Sequence, residues 1–184
     1  MRAVERKSHI PKVAIVGPEC TGKTDLSAFL AEHYKTAWVK EYARAYLDNL
    51  NRPYDETDLL KIAHGQIRME DEWSSEASGL LICDTNLIVI KIWSEFKYGR
   101  CDQEIIDLMQ SRNYDLTLLT FIDIPWQDDP QREHPKERQK LWDTYFSELQ
   151  KQNLSFVEVK GERDQRRSTA TAAIDKLLSK NVNG

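Results

Sequence analysis

No apolar run in the 184 residues approaches the roughly 20 that a membrane-crossing helix requires. The opening residues, MRAVERKSHI, carry basic side chains without the apolar stretch of a secretion signal. The expectation is a cytoplasmic protein with no membrane partner. Cysteine is scarce: Cys20, Cys83 and Cys101 are odd in number and without metal-ligand spacing, which reads as free thiols in a reducing compartment. An excess of positive charge is missing too. The formal net charge of -4 argues against a dedicated nucleic-acid binder. Repeats, low-complexity tracts and Gly/Ser linkers are absent, so a single domain over residues 1–184 is expected. With 40% hydrophobic and 30% charged residues, such a chain can bury a core without staples.

Along the chain, residues 1–11 read as a frayed leader ending at Pro11. Short β-branched or apolar runs at Val13–Val16, Ala37–Val39, Leu80–Cys83, Leu116–Ile122 and Phe156–Val159 read as buried strands. Between them the spacing predicts helices. One follows Gly17, with Leu26, Phe29, Leu30 and His33 recurring. Others cover Asp55–Ser78, Leu87–Tyr98, Gln103–Arg112, the stretch after Glu137 to about Lys151, and Asp164–Leu178. On Asp55–Ser78 the expected inner positions are Leu59, Leu60, Ile62, Ala63, Ile67 and Trp73. Strands alternating with helices imply an α/β fold, a parallel sheet covered on both faces. Ligands of such sheets sit outside the carboxyl ends of the strands, so Gly17, Glu41, Asp84, Asp123 and Gly161 should share one edge.

The segment Gly17-Pro18-Glu19-Cys20-Thr21-Gly22-Lys23-Thr24 matches G-x-x-x-x-G-K-[ST] without exception. Its glycines let backbone N–H groups approach phosphate oxygens, and the helix that follows offers its positive end to the same anion. Lys23 would reach the β- and γ-phosphates of ATP, and the Thr24 hydroxyl would ligate Mg²⁺. A strand before and a helix after are the context that this motif needs.

Other candidates are each open to a blander reading. Asp84 ends an apolar strand, where it either serves the metal beside the phosphate loop or caps the helix beginning near Asn86. Lys40-Glu41-Tyr42-Ala43-Arg44 sets an acid, an aromatic and a cation at a strand end. It is a substrate-side cluster or an ordinary helix start, with Glu41 favouring the N-terminus. His64, Gln66 and Arg68 read as a solvated or partly buried polar face. The proline-rich, cationic stretch at about 125–140 can close over phosphates and deliver Arg132 and Arg138, or be a solvated loop. Gly161 belongs either to a loop under the adenine or to a plain turn. Arg166 and Arg167 read as surface charges, and Trp93, Trp142 and Phe146 as core.

Taken together, these segments resemble the ribosylnicotinamide kinase domain of NadR-type proteins, in the P-loop group called the NadR-like AAA domain. The resemblance rests on the G-x-E-x-[ST]-G-K-[ST] loop, Glu41-Tyr42-Ala43-Arg44, His64-Gly65-Gln66-Ile67-Arg68, Asp84-Thr85-Asn86, and Trp126-Gln127-Asp128-Asp129 with Arg132. It spans about Lys12 to Leu178. The phosphate loop is common to many enzymes; the other segments in combination are more specific. The resemblance implies a nucleoside-kinase-like P-loop NTPase, a three-layer α/β/α sandwich with an arginine-bearing lid. It also implies transfer of the γ-phosphate of ATP, with Mg²⁺, to the 5′-hydroxyl of nicotinamide riboside. Glu41, Tyr42, Arg44, Asp84 and Asn86 would face this small-molecule substrate, and Arg132 and Arg138 would be lid arginines. Either Asp84 or Glu41 would take or orient the hydroxyl proton. About ten residues precede the first strand, so adenylyltransferase or repressor activity of longer family members is not expected here. A kinase for another nucleoside, and an ATPase switch or nucleotide-binding module of the same family, are the rival readings.

Overall fold

The computed structural model describes residues 9–182. Five strands follow one another as β1 (Lys12–Val16), β2 (Ala37–Val39), β3 (Leu81–Asp84), β4 (Leu116–Thr120) and β5 (Phe156–Val159). The helices are α1 (Lys23–Tyr34), α2 (Tyr42–Asp48), α3 (Glu56–Ser74), α4 (Leu87–Tyr98), α5 (Gln103–Gln110), α6 (Arg138–Lys151) and α7 (Arg163–Val182). All strand pairs are parallel, in the order β2-β3-β1-β4-β5. β1 and β3 lie inside the sheet, which is why Val-Ala-Ile-Val and Leu-Ile-Cys are apolar throughout rather than alternating.

Helices cover both faces. On one, Leu59, Ile62, Ile67, Leu87, Ile92 and Leu149 pack over Ala14, Val16 and Leu119. On the other, Leu26, Leu30, Ala170 and Ile174 pack over Val13, Ile15, Ile82 and Leu118. The expected three layers are therefore present. Among the described residues no helix is long and apolar enough to cross a membrane.

Local chemistry sets most boundaries. Asp55 accepts from Thr57 N at 2.9 Å while the Asp58 carboxylate accepts from Asp55 N at 2.9 Å, a capping box that starts α3. Asn86 caps α4, which ends at Gly99 with φ 70°. Some ends differ from expectation. β4 stops at Thr120, not Ile122, because its pairing partners run out at Val159 and Val16. α3 stops at Ser74, and Trp73 in its last turn is 42% exposed rather than buried. Residues 1–8 of the expected leader lie outside the described residues. Pro11 directly precedes the central strand β1, and its carbonyl accepts from Leu81 N at 2.9 Å.

Candidate active site

Parallel pairing brings the ends of all five strands to one edge, and the phosphate loop runs from the end of β1 into α1. Gly17 has φ 143°, and a Cβ there would come within 2.8 Å of the Thr120 carbonyl oxygen. Only glycine fits. Gly22 has φ 76° and gives α1 no side-chain cap, which leaves its first backbone N–H groups free for an anion. Thr21 is buried, its hydroxyl donating to Pro18 O and lying 2.7 Å from that of Thr120, so the loop is stitched to β4. The Lys23 ammonium donates to Gly17 O at 3.0 Å and to Pro18 O at 2.8 Å, across the mouth of the loop.

Asp84 ends β3 beneath this loop, 1% exposed. Its Oδ2 accepts from the Thr24 hydroxyl at 2.7 Å, while Oδ1 is buried with no partner. Burial, then the Glu41 carboxylate, pushes the Asp84 carboxyl up to about 6, against the pull of Thr24, Lys23 and Arg44. An orphaned carboxylate oxygen beside a hydroxyl is the hard-oxygen donor set that Mg²⁺ takes together with phosphate oxygens and water, so Thr24 and Asp84 fit the ion. Thr85, the next residue, has φ 72°, a strained setting for a β-branched side chain. Its N–H donates to Ile15 O at 3.0 Å, and the neighbouring Asn86 Oδ1 accepts from Ile88 N at 3.0 Å. Asp84-Thr85-Asn86 thus turns the chain sharply from strand to helix, with Asn86 spent on the cap.

A cleft of about 290 Å³ extends from the loop. Gly17 to Asp25, Glu41, Arg44, Gln131 and Arg132 are among its lining residues and supply most of its polar groups. Apolar and aromatic side chains complete its lining, among them Leu47, the α4 stripe Val89–Trp93–Phe96, and Tyr145. Trp93 therefore belongs to this wall and is not sealed in the core. A second hollow lies behind the loop, sharing Gly22 and Asp25 and bordered by Asp123, Ile124, Gly161 and Arg163.

The 121–137 connection is docked across the cleft. Glu19 accepts from Glu133 N at 3.0 Å and from His134 N at 3.1 Å. Asp129 pairs with Arg44 at 3.0 Å, and the Tyr54 hydroxyl donates to Glu133 at 2.6 Å. Arg132 donates to Gln127 O at 2.5 Å and to Cys20 Sγ at 3.4 Å. The Arg138 guanidinium, at the start of α6, is committed to Ile124 O and Cys20 O, so it fixes this segment to the phosphate loop. The structure thus brings Arg132 to the cleft and Arg138 to its support.

Arg166, read as a surface charge, and Gln66, read on a solvated or partly buried polar face, are both buried. Arg166 is 5% exposed, since its guanidinium donates to Thr21 O, Phe121 O and Gly161 O and pairs with Asp123. One cation thereby ties the phosphate loop to the ends of β4 and β5. Gln66, 1% exposed, accepts from Tyr42 N at 2.9 Å and so holds the start of α2 next to Glu41. His64 and Arg68 are exposed as expected. Tyr42 packs its ring on Gly65, where a Cβ would overlap the ring carbons. Gly65→Ala is therefore expected to lower the melting temperature by several degrees. The overlap costs about 1–3 kcal/mol, more than the roughly 1 kcal/mol that alanine gains in a helix. A raised melting temperature by calorimetry would contradict this packing.

Sequence reasoning missed Phe96, His134 and Tyr145. The signal was present in α4, where Val89, Trp93 and Phe96 recur at helical spacing, but that pattern also describes a core face.

A phosphate loop, a buried carboxylate behind its threonine and a second cleft-facing carboxylate on a parallel sheet define the class: a P-loop α/β protein with a ligand cleft beside its phosphate loop. The chain belongs to the AAA domain family, whose model matches residues 12–166. It is similar to the trifunctional NAD biosynthesis/regulator protein NadR of Escherichia coli K12, at 27% identity over 158 residues. That match takes in 82% of this chain and 38% of the length of the curated relative. A crystal structure of NadR in complex with NR superimposes with a TM-score of 0.79 at 20% identity, over 92% of this chain and 52% of that one. One in complex with NAD and AMP-PNP gives 0.78 at 20% identity, over 91% and 49%. The resemblance to the NadR-type domain read from the sequence is thereby upheld.

Proposed function

We propose that the chain transfers the γ-phosphoryl group of ATP to the 5′-hydroxyl of nicotinamide riboside, forming nicotinamide mononucleotide. The observation that carries this reading is the single cleft joining the phosphate loop and Glu41 to an apolar, aromatic wall. A phosphate donor, an acceptor hydroxyl and a flat base can be lined up there in one file. Names among the relatives support the acceptor: NadR of E. coli is a NAD biosynthesis protein, and a NadR structure holds NR, taken here as nicotinamide riboside.

In this mechanism the backbone of Gly17–Thr24 cradles the phosphates, and Lys23 and Arg132 neutralise charge developing on the transferring group. Thr24 and Asp84 would hold Mg²⁺, which would supply positive charge to offset that of the phosphates. Glu41 lines the cleft whereas Asp84 lies beneath the loop. On that ground Glu41 orients the acceptor hydroxyl and Asp84 serves the metal side. Arg44, held by Asp129, offers positive charge to the phosphates, Tyr42 and Asn86 act from behind by fixing the starts of α2 and α4, and Gly161 borders the adenine in the second hollow. Arg138 acts by seating the lid. Three free cysteines accord with a reducing, cytoplasmic setting.

Incubation of the purified chain with ATP-Mg²⁺ and nicotinamide riboside tests the reading, with other nucleosides and a no-acceptor control alongside. The expected result is a product of the mass of nicotinamide mononucleotide, formed faster than background hydrolysis. Hydrolysis of ATP with no phosphorylated acceptor would replace this reading with that of an ATPase switch.

A further inference from the structure

Tyr145 is unusual among the cleft residues. Its side chain stands on α6 with 4% of its surface exposed, yet its hydroxyl makes no hydrogen bond to any described residue. Nor is that oxygen sealed away, because Tyr145 lines the cleft together with Glu19 and Glu41. Buried tyrosine hydroxyls ordinarily find a partner, so a free one on a cleft wall is a donor and acceptor available to a ligand. Burial, then the negative charges of Glu41 and Glu19, hold the phenol well above its ordinary range, so it stays protonated at any working pH. The facing carboxylates can only accept hydrogen bonds. A partner matched to this set carries adjacent hydroxyls, one donating to a carboxylate and one paired with the phenol.

The cleft's layout says which part of an acceptor this is. The phosphate loop and the stripe Val89–Trp93–Phe96 line the same cleft, and Tyr145 stands close enough to Glu41 and Glu19 to feel their charge, so a nucleoside with its hydroxyl at Glu41 and its base on the stripe sets its sugar beside Tyr145. We propose that the Tyr145 hydroxyl is a specificity-determining contact that reads the sugar of the acceptor, selecting ribonucleosides over their 2′-deoxy counterparts. This rests on the nucleoside-kinase reading above and adds the residue that sets the sugar class. A site built to pair a hydroxyl rejects the analogue without it, because its own polar group is then stranded.

The test is kcat/KM for a riboside and its 2′-deoxy counterpart, in the wild type and in Tyr145→Phe, with one pair carried on nicotinamide and one on adenine. The wild type is expected to prefer the riboside by about tenfold or more, and Tyr145→Phe to shrink that ratio by about tenfold. A wild-type ratio near one overturns the proposal without any variant. So does a ratio that Tyr145→Phe leaves unchanged, even if activity falls, since that is the mark of a merely structural tyrosine. Phosphorylation of the adenine pair alone would remove nicotinamide riboside as the acceptor and leave Tyr145 to be judged on that pair. If neither pair is phosphorylated, both readings fall.

Discussion

Lys23→Ala is expected to lower kcat for phosphoryl transfer by about 10³-fold or more while leaving the fold in place. The Lys23 ammonium is the cation at the mouth of the phosphate loop, held by Gly17 O and Pro18 O at 3.0 and 2.8 Å. Those carbonyls set it where terminal phosphate oxygens arrive on the loop's N–H groups. Transfer proceeds with charge spread over the γ-phosphoryl oxygens, so a fixed cation there acts on the transition state in particular. The fold loses little. Lys23 is only partly buried, and each bond to a carbonyl is worth about 1 kcal/mol net. Lys23→Arg is expected to fail as well, because a planar fork does not replace a compact ammonium between two carbonyls. The measurement is kcat beside a melting curve: a Lys23→Ala chain that melts normally and keeps full activity would remove the phosphate loop from the mechanism.

The frame was legible in the sequence for a local reason. Val13–Val16 and Leu80–Cys83 are apolar on successive residues, and Leu116–Ile122 is interrupted only by β-branched threonines, because both faces of a parallel sheet are covered, and that pattern needs no knowledge of partners. Asp55 and Asn86 mark helix starts by their own side chains. Phosphate-loop chemistry is equally local, since eight consecutive residues build the nest. The illegible features all depend on distant partners. Nothing near Arg166 in sequence says that Thr21 O and Phe121 O await its guanidinium, so it read as a surface charge. Gln66 read as part of a polar face because its partner, Tyr42 N, lies 24 positions earlier. Trp93 read as core because an apolar stripe against a cleft and one against a sheet have the same period. Arg132 and Arg138 looked alike as cations of one lid. Only the fold separates the one facing the cleft from the one holding Ile124 O and Cys20 O.

Asp84→Asn is expected to stabilise the ligand-free protein while lowering kcat by about 10²-fold or more. The two effects share a cause. Asp84 is 1% exposed with Oδ1 unpartnered, and burial with the nearby Glu41 charge raises its pKa from 3.8 to about 6. Here the folded state binds the proton more tightly than the unfolded state. The stability that protonated Asp84 contributes is fully present below about pH 4 and is lost as the pH rises through about 6. A rise from 3.8 to about 6 corresponds to roughly 3 kcal/mol as an upper figure. The neutral amide avoids that cost, so at pH 7.5 Asp84→Asn should melt several degrees higher, at about 2–4 °C per kcal/mol for a chain of this size. At pH 4 the gain should vanish. Added ATP-Mg²⁺ should raise the melting temperature of the wild type more than that of Asp84→Asn, because only the carboxylate offers the ion a charge. The pH profile of wild-type kcat/KM should climb through about pH 6 as the free enzyme's Asp84 ionises. Calorimetry at the two pH values separates the cases. An Asp84→Asn chain that melts lower than the wild type at pH 7.5 and responds equally to ATP-Mg²⁺ would make Asp84 a structural cap, with the metal held elsewhere.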